Sequence, residues 1–79
     1  MDLKDKSIQE LAGIVSHDWK NVYFGAKPYL EAMCSLETVN DNYGLDSGKS
    51  VVLYFLANAN GWKGEAARQV KAELKRRIK

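Results

Sequence analysis

The chain has 79 residues, 46% hydrophobic and 28% charged, with a net charge of +2, enough apolar material for one small core and an ordinary solvated surface. Its one cysteine, Cys34, excludes an intrachain disulfide and any paired-cysteine metal site, which fits a reducing compartment. The longest apolar run, Val51 to Ala57, is seven residues, against the roughly 20 a membrane-crossing helix needs. The charged opening Met1-Asp2-Leu3-Lys4-Asp5-Lys6 also lacks the apolar region of a signal peptide. These features lead to the expectation of one soluble, cytoplasmic domain, residues 1–79, with no membrane contact.

Ser7-Ile8-Gln9-Glu10 has the spacing of a capping box, in which the Ser7 hydroxyl takes the Glu10 backbone N–H and the Glu10 carboxylate reaches back. Ile8, Leu11, Ala12, Val15, Trp19 and Val22 then recur at helical spacing. The first helix is predicted over 7–24, with Gly25 as its left-handed stop. Pro28 suits the first turn of a second helix, 28–37, whose apolar side carries Tyr29, Leu30, Met33 and Leu36. The connection through Gly25, Ala26 and Lys27 is short, so the two helices should be neighbours. Residues 38–47 are rich in turn formers and read as irregular, pinned to the core by Val39, Tyr43 and Leu45.

Asp46 or Ser47 should cap a third helix over 48–59. Its run Val51-Val52-Leu53-Tyr54-Phe55-Leu56-Ala57 suggests a segment apolar all round, the post against which the rest packs. A buried strand has the same pattern. Helix is preferred because helix formers extend the run and no partner strand is evident. After the break at Asn60-Gly61, a fourth helix over 64–78 has an apolar stripe of Ala66, Ala67, Val70, Leu74 and Ile78. The predicted fold is all-α, a compact four-helix domain around a buried third helix.

Four patterns bear on chemistry. Gly44-Leu45-Asp46-Ser47-Gly48-Lys49-Ser50 is one residue short of a phosphate-cradling loop and lacks the strand such a loop follows, so it reads as a tight turn plus a cap. What survives is a bare helix N-terminus beside Lys49 that could hold an anion. His17-Asp18 has no metal set around it and no nucleophile implied beside it, so His17 reads as structural and partly exposed. No catalytic residue, cofactor, metal or small-molecule substrate is expected.

Trp19, Tyr23, Phe24 and Tyr29 crowd around the first interhelical turn. One or two of them, with Trp62, are expected to form an exposed patch for self-association or a protein partner. Finally, charge is uneven: residues 1–60 carry five lysines and eight acids, residues 61–79 seven cations and two acids. The third helix, a glycine-containing turn and a basic fourth helix suggest a helix-turn-helix, with Arg68, Lys71, Lys75 and Arg76 as nucleic-acid contacts. Lys/Arg complementing the dipole of a solvated terminal helix explains the same charges.

Two segments, Asp18-Trp19-Lys20-Asn21-Val22-Tyr23-Phe24-Gly25-Ala26-Lys27-Pro28-Tyr29-Leu30 and Tyr54-Phe55-Leu56-Ala57-Asn58-Ala59 followed by Trp62-Lys63-Gly64-Glu65-Ala66-Ala67-Arg68, resemble a family of small uncharacterised proteins encoded by bacterial phages, prophages and related mobile elements. The resemblance implies an accessory protein of a bacterial cytoplasm that works by binding, and it supplies no catalytic or ligand-binding residues. Two functions are therefore carried forward: a non-enzymatic protein-interaction module, and a nucleic-acid-binding or regulatory protein using the basic C-terminal helix.

Overall fold

The computed structural model describes residues 2–79. Four helices, α1 (Ile8–Asp18), α2 (Lys27–Met33), α3 (Gly48–Ala57) and α4 (Glu65–Arg77), are joined by a minimal hairpin, β1 (Asn42–Tyr43) and β2 (Asp46–Ser47), placed just before α3. The molecule measures 31 × 28 × 19 Å, so its thin dimension holds about two helix diameters. Helix α1 packs on α2 and α4, and α3 packs chiefly on α2 with a lesser contact to α4. One apolar cluster draws on all four helices; Ile8, Leu11, Ala12 and Val15 of α1 are completely shielded within it.

The start of α1 is as the sequence predicts. Ser7 N–H donates to Glu10 Oε1 at 2.9 Å and Glu10 N–H to Ser7 Oγ at 3.0 Å. The two helical N–H groups that this box leaves over are satisfied from α2's exit: Ile8 N–H donates to the Glu37 carbonyl at 2.9 Å and Gln9 N–H to that of Leu36 at 2.8 Å. The donor end of α1 thus docks on carbonyls that follow α2, which satisfies the helical N–H groups its own turn cannot.

The end of α1 differs from prediction. The helix stops at Asp18, well short of Phe24, because Trp19 turns to extended angles (φ −91°, ψ 94°). That turn sends the Trp19 indole inward onto Phe55 and Trp62, a burial a continuing helix would have forfeited. Gly25 is not in a left-handed conformation. It is small because the ring of Tyr23 and the Asn58 side chain crowd it: an added Cβ would lie 2.6 Å from Tyr23 Cε2 and 3.0 Å from Asn58 Oδ1. Helix α2 has the expected proline in its first turn but closes at Met33. Tight turns follow, with Ser35 N–H bonded to the Ala32 carbonyl and Leu36 N–H to that of Met33, and they bury Leu36.

The stretch 38–47 is not wholly irregular, and the fold is mostly helical rather than purely all-α. Asn42 pairs with Ser47 and Tyr43 with Asp46 in antiparallel register. Gly44 leads the two-residue turn at φ +61°, where glycine carries no steric cost and the turn's twist suits a hairpin. Of the three residues expected to pin this stretch, only Val39 packs on the core; Tyr43 is 46% and Leu45 107% exposed. The anchor is polar instead. Asp41 Oδ2 accepts the N–H groups of Glu37 and Thr38 at 2.9 and 3.1 Å, and its carbonyl accepts Gly48 N–H at 2.7 Å.

Ser47 caps α3 by accepting Ser50 N–H at 3.0 Å, while Asp46 serves the hairpin. The helix is not buried all round. Val51, Val52 and Phe55 face the core, but Leu53 and Tyr54 are about half exposed, 54% and 49%. Helix α1 likewise buries one side only, with Gln9, Gly13 and Ser16 exposed on the other. Helix α4 begins after Gly64, whose φ of 110° again calls for glycine.

Candidate functional site

Two sets of aromatics separate cleanly. Trp19 and Trp62, expected in an exposed patch, lie in the core with 8% and 2% exposure. Their rings stack at 6.0 Å and 12°, and Trp19 meets Phe55 edge-on at 6.4 Å. Trp62 Nε1 donates to Asp18 Oδ2 at 2.8 Å, so the acid of the His17-Asp18 pair orients an indole. The buried tip of Trp62 thus has its partner, as a buried indole requires. His17 is exposed on the last turn of α1.

The other set faces water. Tyr23 and Phe24, 49% and 76% exposed, pack against each other at 4.9 Å. Half-buried Tyr29 of α2 meets Tyr54 of α3 at 5.5 Å. These pairs are linked: Asn58 Nδ2 donates to the Tyr54 carbonyl at 2.9 Å, and Asn58 Oδ1 and the Tyr23 ring both lie against Gly25. Leu53 and Ala57 continue the face along α3, and the hairpin with Tyr43 and Leu45 stands at its other end. The outward side of α3 and the segments at its two ends thus hold all six large exposed apolar side chains found among the described residues: Tyr23, Phe24, Tyr43, Leu45, Leu53 and Tyr54. Aromatic crowding pointed to Tyr23, Phe24 and Tyr29. It missed Leu53 and Tyr54, hidden inside an unbroken apolar run, and Tyr43 and Leu45, taken for anchors.

The cations of α4 are mostly engaged. Arg68 forms an ion pair with Glu65, and this hydrogen bond, with a second from Gln69, holds the Glu65 carboxyl below the usual range. Arg76 pairs with Glu73. Arg77 donates to the same carboxylate at 2.6 Å and, through Nη2, to the carbonyls of Leu3 and Lys4 at 2.8 and 3.1 Å, so it ties the N-terminal segment to α4. Lys71 Nζ donates to the Trp62 carbonyl at 2.6 Å and lies 5.9 Å from the centre of that indole. Burial, then the neighbouring charges of Lys63 and Lys75, depress its pKa. Of Arg68, Lys71, Lys75 and Arg76, only Lys75 has no hydrogen bond or ion pair among the described residues.

The glycine–lysine–serine loop does not expose a bare helix end. Gly48 N–H is bonded to the Asp41 carbonyl and Ser50 N–H to Ser47 Oγ. An added Cβ at Gly48 would stand 2.8, 3.0 and 3.1 Å from the carbonyl oxygens of Asp41, Val39 and Thr38, so carbonyls surround this position and would repel a phosphate. Cys34 is exposed. Among the described residues no group of three or more His, Cys, Asp or Glu side chains is placed to hold a metal ion, and no helix is long and apolar enough to cross a membrane.

No family model, curated protein or solved structure matches this chain. The functional reading therefore rests on its own surface.

Proposed function

We propose that the chain is a non-enzymatic accessory protein that acts by protein–protein contact through the outward face of α3, of the phage and mobile-element kind its two aromatic segments resemble. One observation carries this reading: the large exposed apolar side chains, aromatic for the most part, are carried by α3 and the segments at its two ends, outside the buried core cluster. Scattered exposed hydrophobics need no explanation, but a continuous group of this kind marks an interaction site. Aromatic and leucine side chains presented by a rigid helix supply the desolvated centre that protein interfaces need.

The nucleic-acid reading has less support, because the ion pairs of α4 already satisfy Arg68 and Arg76. Capture experiments with the tagged chain in a bacterial lysate separate the two. A retained protein that survives nuclease treatment and is lost with Leu53→Lys supports contact through α3. Retention that nuclease abolishes and that Leu53→Lys leaves untouched would sink it in favour of the basic helix.

A further inference from the structure

The connection from α3 to α4 contains the chain's one Asn-Gly step, Asn60-Gly61. The step forms the middle of a tight turn in which Trp62 N–H donates to the Ala59 carbonyl at 3.0 Å. Ala59 and Trp62 are buried, whereas Asn60 and Gly61 are exposed and line a cavity of about 420 Å³ that is open to solvent. The Gly61 N–H has no acceptor among the described residues, and a Cβ placed on Gly61 would meet nothing within 4 Å.

Asparagine is a labile residue, because an unpaired and unhindered peptide nitrogen just after it is placed to attack its side-chain amide. Gly61 does not have a positive φ, so the turn is of the type I kind. The type II form of the same turn needs a positive φ at this position, which glycine supplies. Flipping the peptide between Asn60 and Gly61 leaves Ala59 and Trp62 in place and swings the Gly61 nitrogen past the Asn60 side chain. The other four asparagines are held back. Asp41 N–H is bonded to the Thr38 carbonyl and Ala59 N–H to that of Leu56, Tyr43 is paired in the hairpin, and Val22, after Asn21, is β-branched and stiff.

We propose that Asn60-Gly61 is a self-modification site, at which the Gly61 nitrogen closes on Asn60 Cγ and the amide is converted to aspartyl and isoaspartyl acids. Gly61 N–H gives its proton to solvent base, the nitrogen bonds to Cγ, and the Cγ–Nδ2 bond breaks. Nδ2 takes a proton from water and leaves as ammonia. Water then opens the resulting cyclic imide. Cleavage of the nitrogen–Cγ bond yields aspartate in the normal main chain. Cleavage of the nitrogen–carbonyl bond instead routes the main chain through Cβ and Cγ, the isoaspartyl form.

Either product puts a negative charge beside the C-terminal end of α3, where the helix dipole disfavours it. The isoaspartyl form also lengthens by one carbon the path between Ala59 and Trp62, both fixed in the core. Conversion therefore acts on the packing of Trp62, whether or not α3 is a contact face.

The test is incubation of the full chain at physiological temperature and mildly alkaline pH, folded and in urea. Peptide mass spectrometry follows it, with fragmentation that separates Asn58 from Asn60. In the folded chain, Asn60 is expected to gain the mass of an amide-to-acid exchange before any other asparagine. Two products of equal mass should separate by chromatography, the isoaspartyl form in excess. Gly61→Ala has room for its methyl group and no positive φ to strain, so it should stay folded and slow the conversion on the order of tenfold or more. The isoaspartyl chain should melt several degrees below Asn60→Asp, which carries the charge without the extra carbon.

If Asn60 of the folded chain remains an amide over the time that converts it in urea, the turn is locked and the proposal is overturned. Earlier conversion at another asparagine, a Gly61→Ala chain that reacts as fast as the wild type, or an isoaspartyl chain that melts with Asn60→Asp would overturn it as well.

Discussion

The tryptophan corner and the outward face of α3 are built from similar residues and end in opposite states. At the corner, Trp62 has its ring on Trp19, its indole N–H on Asp18 and its carbonyl on Lys71. On the face, Tyr54 keeps half of its surface in water and has Tyr29 as its ring contact. The difference is where the chain reverses. Trp19 and Trp62 sit where helices end, so segments of α1, α3 and α4 converge on them. Leu53 and Tyr54 lie in mid-helix on a side where no later segment returns. Four short helices cannot cover both sides of every element, and the side left uncovered is the one available to a partner.

The comparison breaks most visibly at Trp62. Trp62→Ala removes a stacked, buried ring, leaves Asp18 without its indole donor and takes away the ring beside Lys71, at a cost of about 3–5 kcal/mol. In a domain of this size that should abolish or severely broaden the thermal transition seen by circular dichroism. A Trp62→Ala protein that melts as the wild type does would show the corner to be no more structural than the face. Gly48→Ala comes next. The new methyl group meets three backbone carbonyls that cannot rotate away, so a loss of about 1–3 kcal/mol is expected in urea denaturation.

Much of this was legible in the chain. The capping box at Ser7 and Glu10, the proline opening α2, the Ser47 cap and the stripe of α4 are short-range patterns whose meaning does not depend on tertiary context. The end of α1 was not legible, because Trp19 continues the helical spacing and leaves it only to meet Trp62, a partner far along the sequence. Leu53 and Tyr54 were hidden for a related reason: an unbroken apolar run has no period to say which side faces water. The hairpin left a faint local signal, a glycine followed by one residue between Tyr43 and Asp46, which chain composition alone reads as a plain turn. Charge misled in the other direction. The basic C-terminus looked available for phosphate, yet Glu65 and Glu73 lie three and four residues from the arginines they neutralise.

Acid should act on the structural side of the comparison. The Glu73 carboxyl, only 10% exposed, is held below its ordinary value of 4.5, first by the hydrogen bond from Arg76 and then by Arg77. A carboxyl with a lowered folded pKa contributes stability that is fully present above the unfolded value and is lost as pH falls through the folded one. Melting temperature should therefore hold level through neutral pH and decline below about pH 4.5. Glu73→Gln should lower the plateau and flatten that decline; an unchanged acid limb in the variant would show that Glu73 does not govern it.

The smallest effect is expected on the face itself, and it is the sharpest discriminator. Tyr54→Ala removes a ring that is already half in water, so its cost in unfolding free energy should be no more than about 1 kcal/mol. Leu53→Ser, which exchanges one half-exposed side chain for another, should stay within about 0.5 kcal/mol. Residues kept for folding lose stability when trimmed, and residues kept for contact lose association instead. If Tyr54→Ala destabilised the monomer as much as Trp62→Ala, the two aromatic sets would be one core, and the exposed half of Tyr54 would need no partner to explain it.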